Sequence, residues 1–159
     1  MLDLFEGGYL WAMRIAIGSD HAGFRLKEEL IGHLQGNGVT VHDKGTDSDA
    51  STDYPEFAHE VAKEVTEELV DLGIVICGSG NGVSITANKH HGVRSALAWN
   101  AEVAELGRRH NNANVLALPA RYISPKEAFA IVDAFLAASF EGGRHQRRVD
   151  PIEDPSLAH

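Results

Sequence analysis

The sequence predicts an α/β sandwich around a parallel sheet. Two observations carry that prediction. From Met13 onward, strand-like and helix-like patterns alternate five times. The third strand pattern, Gly73 to Cys77, is apolar without polar alternation, as in strands buried on both faces. A chain of 159 residues, 43% hydrophobic and 23% charged, is long enough for one such domain with its own core.

Each element has a local reason. Arg14 to Gly18 reads as a short buried strand. Ala22 to Gln35 reads as a helix, with Phe24, Leu26, Leu30, Ile31 and Leu34 along one apolar side. Gly36-Asn37-Gly38 stops it before a strand over Val39 to His42. Tyr54 to Leu72 reads as a second helix with Pro55 in its first turn. Val93 to Ala98 is the fourth strand, Ala101 to Arg109 a helix, and Asn114 to Leu118 the fifth strand. Ser124 caps a helix opened by Pro125 and running to about Phe140. The polar stretch after Gly142-Gly143 forms a short helix or an arm. Residues 1–12 read as an extension outside the fold, and residues 13–159 as one domain with a C-terminal arm from about residue 142.

Charge and cysteine count exclude several functions. A net charge of −9 argues against a general binder of nucleic acid or anionic membranes. From Arg94 to Arg148, seven Arg and one Lys face five acidic residues, a local +3, so the remainder carries −12. A basic segment on an acidic chain suits a small anionic ligand. One cysteine leaves no intramolecular disulfide framework and no Cys-rich zinc site. No apolar run is long enough to span a membrane, and Asp3 and Glu6 interrupt the apolar start, so no secretory signal is expected and the cytoplasm is the expected compartment.

In parallel α/β folds ligands sit beyond the carboxyl ends of the strands. After the first strand comes Ser19-Asp20-His21-Ala22-Gly23, where Asp20 either contacts a ligand or merely caps the helix. After the third comes Cys77-Gly78-Ser79-Gly80-Asn81-Gly82. Its glycines let the backbone approach a ligand closely, and its N–H groups form an anion-binding concavity. The spacing is neither that of a P-loop nor that of the dinucleotide fingerprint. A thiol ending a strand is ordinarily an inert core residue. At a helix N-terminus its thiolate is stabilised, and it can act as a proton-abstracting base. His110-Asn111-Asn112-Ala113-Asn114 offers an imidazole and amides, or simply a helix C-cap. His90-His91 has no third ligand at metal spacing nearby, so no metal is expected.

Taken in order, these motifs join Asp53-Tyr54-Pro55, Ala87-Asn88-Lys89, Asn114-Val115-Leu116 and Gly142-Gly143-Arg144-His145 with Arg148. The ordered set resembles the B-type ribose-5-phosphate isomerases, within a family that also holds allose-6-phosphate and galactose-6-phosphate isomerases. The resemblance covers Met13 to about Ile152. It implies a Rossmann-like three-layer α/β/α sandwich with a five-stranded parallel sheet. It also implies a homodimer or tetramer with active sites at the subunit interface, and aldose–ketose isomerisation through an enediolate without a cofactor.

Residue by residue, the resemblance makes Cys77 the base and Ser79 the proton shuttle between substrate oxygens. The N–H groups of Ser79, Gly80 and Gly82 become an oxyanion hole, within a loop that Gly78 and Asn81 complete. It gives ring opening to His110 and sugar contacts to Asp20, Tyr54 and Asn111. It gives the phosphate to His21, Arg121, Arg144 and Arg148, with the Arg144–Arg148 pair reaching a neighbour's site from one face of a helix. A branch of the family places a glutamate where Val83 stands here. With no carboxylate there, Asp20 is the next candidate base after Cys77. The alternatives are a six-carbon sugar-phosphate isomerase and, from another class, a non-catalytic nucleotide-binding or ligand-sensing module.

Overall fold

The computed structural model describes residues 13–158, so the reading of residues 1–12 as an extension lies outside the described residues. Five strands form one sheet: β1 (Arg14–Ser19), β2 (Thr40–Asp43), β3 (Leu72–Cys77), β4 (Ser95–Leu97) and β5 (Val115–Pro119). Their order is β2-β1-β3-β5-β4, and every pairing is parallel. The helices are α1 (Phe24–Gly36), α2 (Tyr54–Thr66), α3 (Asn81–Ala87), α4 (Ala101–Asn111), α5 (Pro125–Ala137) and α6 (Gln146–Glu153).

The two faces of the sheet are packed differently. Ile15, Ile17, Ile74, Ile76, Leu116 and Leu118 point to one side and meet apolar residues of α1, α4 and α5. Ala16, Val75, Val115 and Ala117 point to the other and meet α2 and α3. The strands that read as continuously apolar therefore alternate in size rather than polarity. The small face lets α2 come close: a Cβ on Gly73 would lie 2.6 Å from Val61 Cγ1.

Three boundaries differ from expectation. Helix α2 ends at Thr66, not Leu72. Glu68 takes the left-handed conformation (φ 57°) without a glycine to announce it, and Leu72 joins the sheet opposite Ile15. Strand β4 is shorter than expected, Ser95–Leu97, and Asn88 brackets its first residue. Asn88 accepts the Ser95 N–H at 2.7 Å and donates to the Ser95 carbonyl at 3.1 Å. Helix α5 stops at Ala137; its start is as expected, with Ser124 and Glu127 forming a reciprocal cap.

From β1 the chain steps to one side for β2 and to the other for β3. The carboxyl ends of β1 and β3 thus flank the switch point, where this class of sheet opens a crevice. Asp20 and Cys77 follow from those two strand ends.

Candidate active site

At the switch point a cavity of about 370 Å³ is lined by Asp20, Tyr54, Cys77, Gly78, Ser79, Gly82, Arg121 and Tyr122. Asp20 is buried and caps the turn over His21–Gly23, its Oδ1 accepting the Gly23 N–H at 3.1 Å. Capping and lining the cavity are therefore one placement. The Asp20 N–H donates to the Ile76 carbonyl at 3.2 Å, which holds the two strand ends together.

The loop after Cys77 depends on its glycines. Gly80 has φ 77°, and a Cβ there would lie 2.4 Å from Leu97 Cδ1 and 3.1 Å from the Leu118 carbonyl carbon. A Cβ on Gly82 would lie 2.5 Å from the Tyr54 ring. The loop opens α3, whose first N–H groups have no acceptor within the helix. Ser79 Oγ accepts from the Asn81 backbone and side-chain N–H groups, both at 3.3 Å. Cys77 is buried at 5% exposure but reaches the cavity wall. Val83 is fully buried among Ala16, Val61 and Val75, committed to the core.

Arg121 is placed by β5: its N–H donates to the Gly78 carbonyl at 3.0 Å, and its side chain lies along the loop. His21 lies beside Asp20 but outside the cavity lining. The Thr52 N–H and carbonyl both lie 3.2 Å from its Nδ1, and its own N–H donates to Thr52 Oγ1.

The other expected residues are elsewhere. Helix α4 starts at the carboxyl end of β4 and carries the chain back by about 16 Å. His110 and Asn111 therefore sit at the amino end of the sheet, opposite Cys77. His110 stacks on His145, with ring centroids 4.1 Å apart and planes 8° from parallel. Arg144 lies in the 3-10 turn Gly143–His145 and Arg148 in α6, so the two do not share one face of a single helix as expected. Arg148 lines a shallow hollow with Arg147, Pro151, Leu157 and Ala158. The phosphate set is thus split, with Arg121 at one end and Arg144 and Arg148 at the other. A larger hollow of about 590 Å³ includes Asn111, but the loop after Cys77 takes no part in it.

Glu141 and Arg109 form the unexpected part. Glu141 Oε1 accepts from Arg109 Nε at 2.7 Å. Glu141 also faces His110 Nε2 at 3.8 Å and His145 Nε2 at 3.5 Å. Hydrogen bonding from Arg109 holds the Glu141 carboxyl below its usual range. Burial, then the neighbouring His110 and Arg144 charges, push His145 below the usual histidine range. Among the described residues, His110, Glu141 and His145 are the one group whose donor atoms come within metal-binding reach, inside 4.8 Å. Parallel rings aim their lone pairs side by side, and Arg109 occupies the carboxylate, so the arrangement fits an ionic clamp better than a chelate. His90 and His91 part company: His90 bonds His59 at 2.7 Å, and His91 faces Glu153 at 3.3 Å. Sequence reasoning passed over Glu141, although it abuts the Gly142-Gly143 signal, and Tyr122, although it follows Arg121 beyond a strand end.

A thiol, a carboxylate and a glycine loop at the switch point of a parallel sheet make up a small-molecule enzyme site. The Ribose/Galactose Isomerase family model matches residues 15–152, and the chain belongs to that family. It is 50% identical over 139 residues to ribose-5-phosphate isomerase B of Escherichia coli, covering 87% of this chain and 93% of the relative. A ribose 5-phosphate isomerase structure from Thermotoga maritima superimposes with a TM-score of 0.88 at 48% identity, covering 89% of this chain and 98% of that one. The Mycoplasma genitalium ribose-5-phosphate isomerase B, solved with bound ribulose 5-phosphate, gives a TM-score of 0.87 at 46% identity, covering 93% and 99%.

Proposed function

We propose that this chain interconverts D-ribose 5-phosphate and D-ribulose 5-phosphate through an enediolate, as one cytoplasmic isomerase domain spanning residues 13–159. The observation that carries the reading is the Cys77 loop at the switch point, in a chain whose relatives bear that activity by name. No described helix is long and apolar enough to cross a membrane.

The chemistry divides into two stages. Ring opening removes the O1 proton, breaks the C1–O4 bond and delivers a proton to O4; His110 serves it. In the aldehyde, Cys77 takes the C2 proton, and the electrons move to O1. The backbone N–H groups of Ser79, Gly80 and Gly82 stabilise that oxygen. The O2 proton passes to O1 through Ser79, and the Cys77 proton returns to C1. Asp20, Tyr54 and Asn111 hold the sugar; His21, Arg121, Arg144 and Arg148 hold the phosphate.

Cys77 and His110 lie at opposite ends of one sheet, so one active site draws on two chains in a homodimer. Support comes from the apolar hollow beside the cavity, walled by Leu97, Trp99, Pro119 and Tyr122. Trp99 is 58% and Tyr122 76% exposed, a surface suited to a second copy. Incubation with ribose 5-phosphate, read as ketose formed, tests the function. Turnover that survives overnight EDTA supports it; turnover confined to allose or galactose 6-phosphate overturns the substrate.

A further inference from the structure

The corner where α4 meets the arm holds more machinery than ring opening and phosphate binding require. Glu141 is fixed there by its backbone, whose N–H donates to the Arg109 carbonyl at 3.0 Å, and by its carboxylate on Arg109 Nε. Arg109 is braced in turn by Glu105 at 2.9 Å. The chain then turns through Gly142 and Gly143 and lays His145 flat on His110.

The charged groups facing this stack come from two elements. Helix α4 supplies Arg109, His110 and, through Arg109, Glu105; the arm supplies Glu141, Arg144, His145 and Arg148. Burial and the cations favour a neutral His145, and Glu141 opposes them. A neutral ring against His110 spares the pair like-charge repulsion when His110 exchanges a proton.

We propose that Glu141 is a positioning residue for the isomerase: by clamping Arg109 and facing both rings of the stack, it aligns His110 for ring opening. The inference rests on the isomerase reading above. It predicts a defect specific to ring opening. An aldose 5-phosphate lacking the 4-hydroxyl cannot close a furanose, and so bypasses that stage.

Glu141→Gln is expected to lower kcat on ribose 5-phosphate roughly 10- to 100-fold, the scale of a misplaced catalytic group. KM changes little, and the 4-deoxy substrate shows no comparable loss. Glu141→Asp restores part of the rate. Where Glu141→Gln fails to fold, Arg109→Lys loosens the same clamp and must show the same substrate selectivity. Equal losses on both substrates, or a change in KM alone, overturn the proposal. His110→Ala failing to discriminate the substrates overturns the ring-opening role of His110 and the assignment of Glu141 with it. A wild-type enzyme without ribose 5-phosphate turnover overturns the isomerase reading itself.

Discussion

The Cys77 loop and the His110 corner are built by opposite means. The loop is backbone geometry: a strand end, glycines in tight contact with Leu97 and Tyr54, and N–H groups at a helix start. The corner is side-chain electrostatics: a carboxylate shared by a guanidinium and two stacked imidazoles. In the proposed mechanism the loop stabilises negative charge as it develops on a sugar. In the same proposal the corner moves protons and holds a phosphate. Placed at opposite ends of one sheet, neither holds all the groups that aldose–ketose isomerisation needs. The separation is spatial, and the proposed homodimer is what would bring the two regions into one site.

Removing the thiol breaks that division at its strongest point. Cys77→Ala is expected to fold and to lose roughly 10²–10⁴-fold in kcat, the contribution of a positioned acid–base group. Iodoacetamide is expected to inactivate the wild-type chain with one alkylated site, and ribose 5-phosphate to protect it. Mixing Cys77→Ala chains with Arg144→Ala chains, under verified exchange, then restores partial turnover, because a hybrid dimer holds one intact site. Absence of recovery removes the arginine corner from the Cys77 site. Near-normal turnover by Cys77→Ala passes the base role to Asp20.

The loop was legible in the sequence because its signals are local. A buried strand, a thiol and three glycines fall within ten residues, and the strand-end rule points to them. The same rule pointed to Asp20, whereas Arg121 came from the family resemblance. The strand-end rule could not reach His110, which precedes β5 rather than following a strand; an imidazole among amides marks it as a candidate, and the family resemblance supplied its role. Glu141 was hidden for a different reason. Its partner Arg109 lies 32 residues away, and nothing along the chain marks two residues that meet only when α4 and the arm pack. The early end of α2 was hidden because Glu68 adopts a left-handed turn that sequence reading assigns to glycine or asparagine.

Alanine at one glycine in each region sharpens the contrast on the stability side. Gly80→Ala meets a left-handed backbone and three close contacts, so thermal unfolding should show a loss of about 1–3 kcal/mol with activity falling alongside. Gly143 is also left-handed, at φ 55°, but nothing lies within 4 Å of its Cβ position. Strain alone then costs Gly143→Ala about 1 kcal/mol. Equal losses at both glycines contradict a loop held by close packing.

Acidification gives the smallest effect and falls first on the amino end of the sheet. His145, through burial and its cationic neighbours, and His90, through burial and His59, both sit below the ordinary histidine value of 6.5. Just below pH 6.5 the unfolded chain therefore binds more protons than the native one. Stability rises with pH wherever that holds. This contribution is whole above 6.5 and is lost as pH falls from there toward the depressed native values. A second loss begins lower, where Glu64 and Glu153 leave their ordinary value of 4.5 behind. Burial alone would raise both carboxyls. The hydrogen bonds from His42 and Lys44 on Glu64, and from Gly92 and Arg94 on Glu153, outweigh it. Tm measured from pH 8 to 4 should thus stay level to about 6.5, sag gently, and drop more steeply below about 4.5. His145→Asn should reduce the first sag to the part His90 contributes, while Cys77→Ala leaves it in place. A Tm that climbs between pH 6.5 and 5.5 reverses the sign and removes the burial of His145 as its cause.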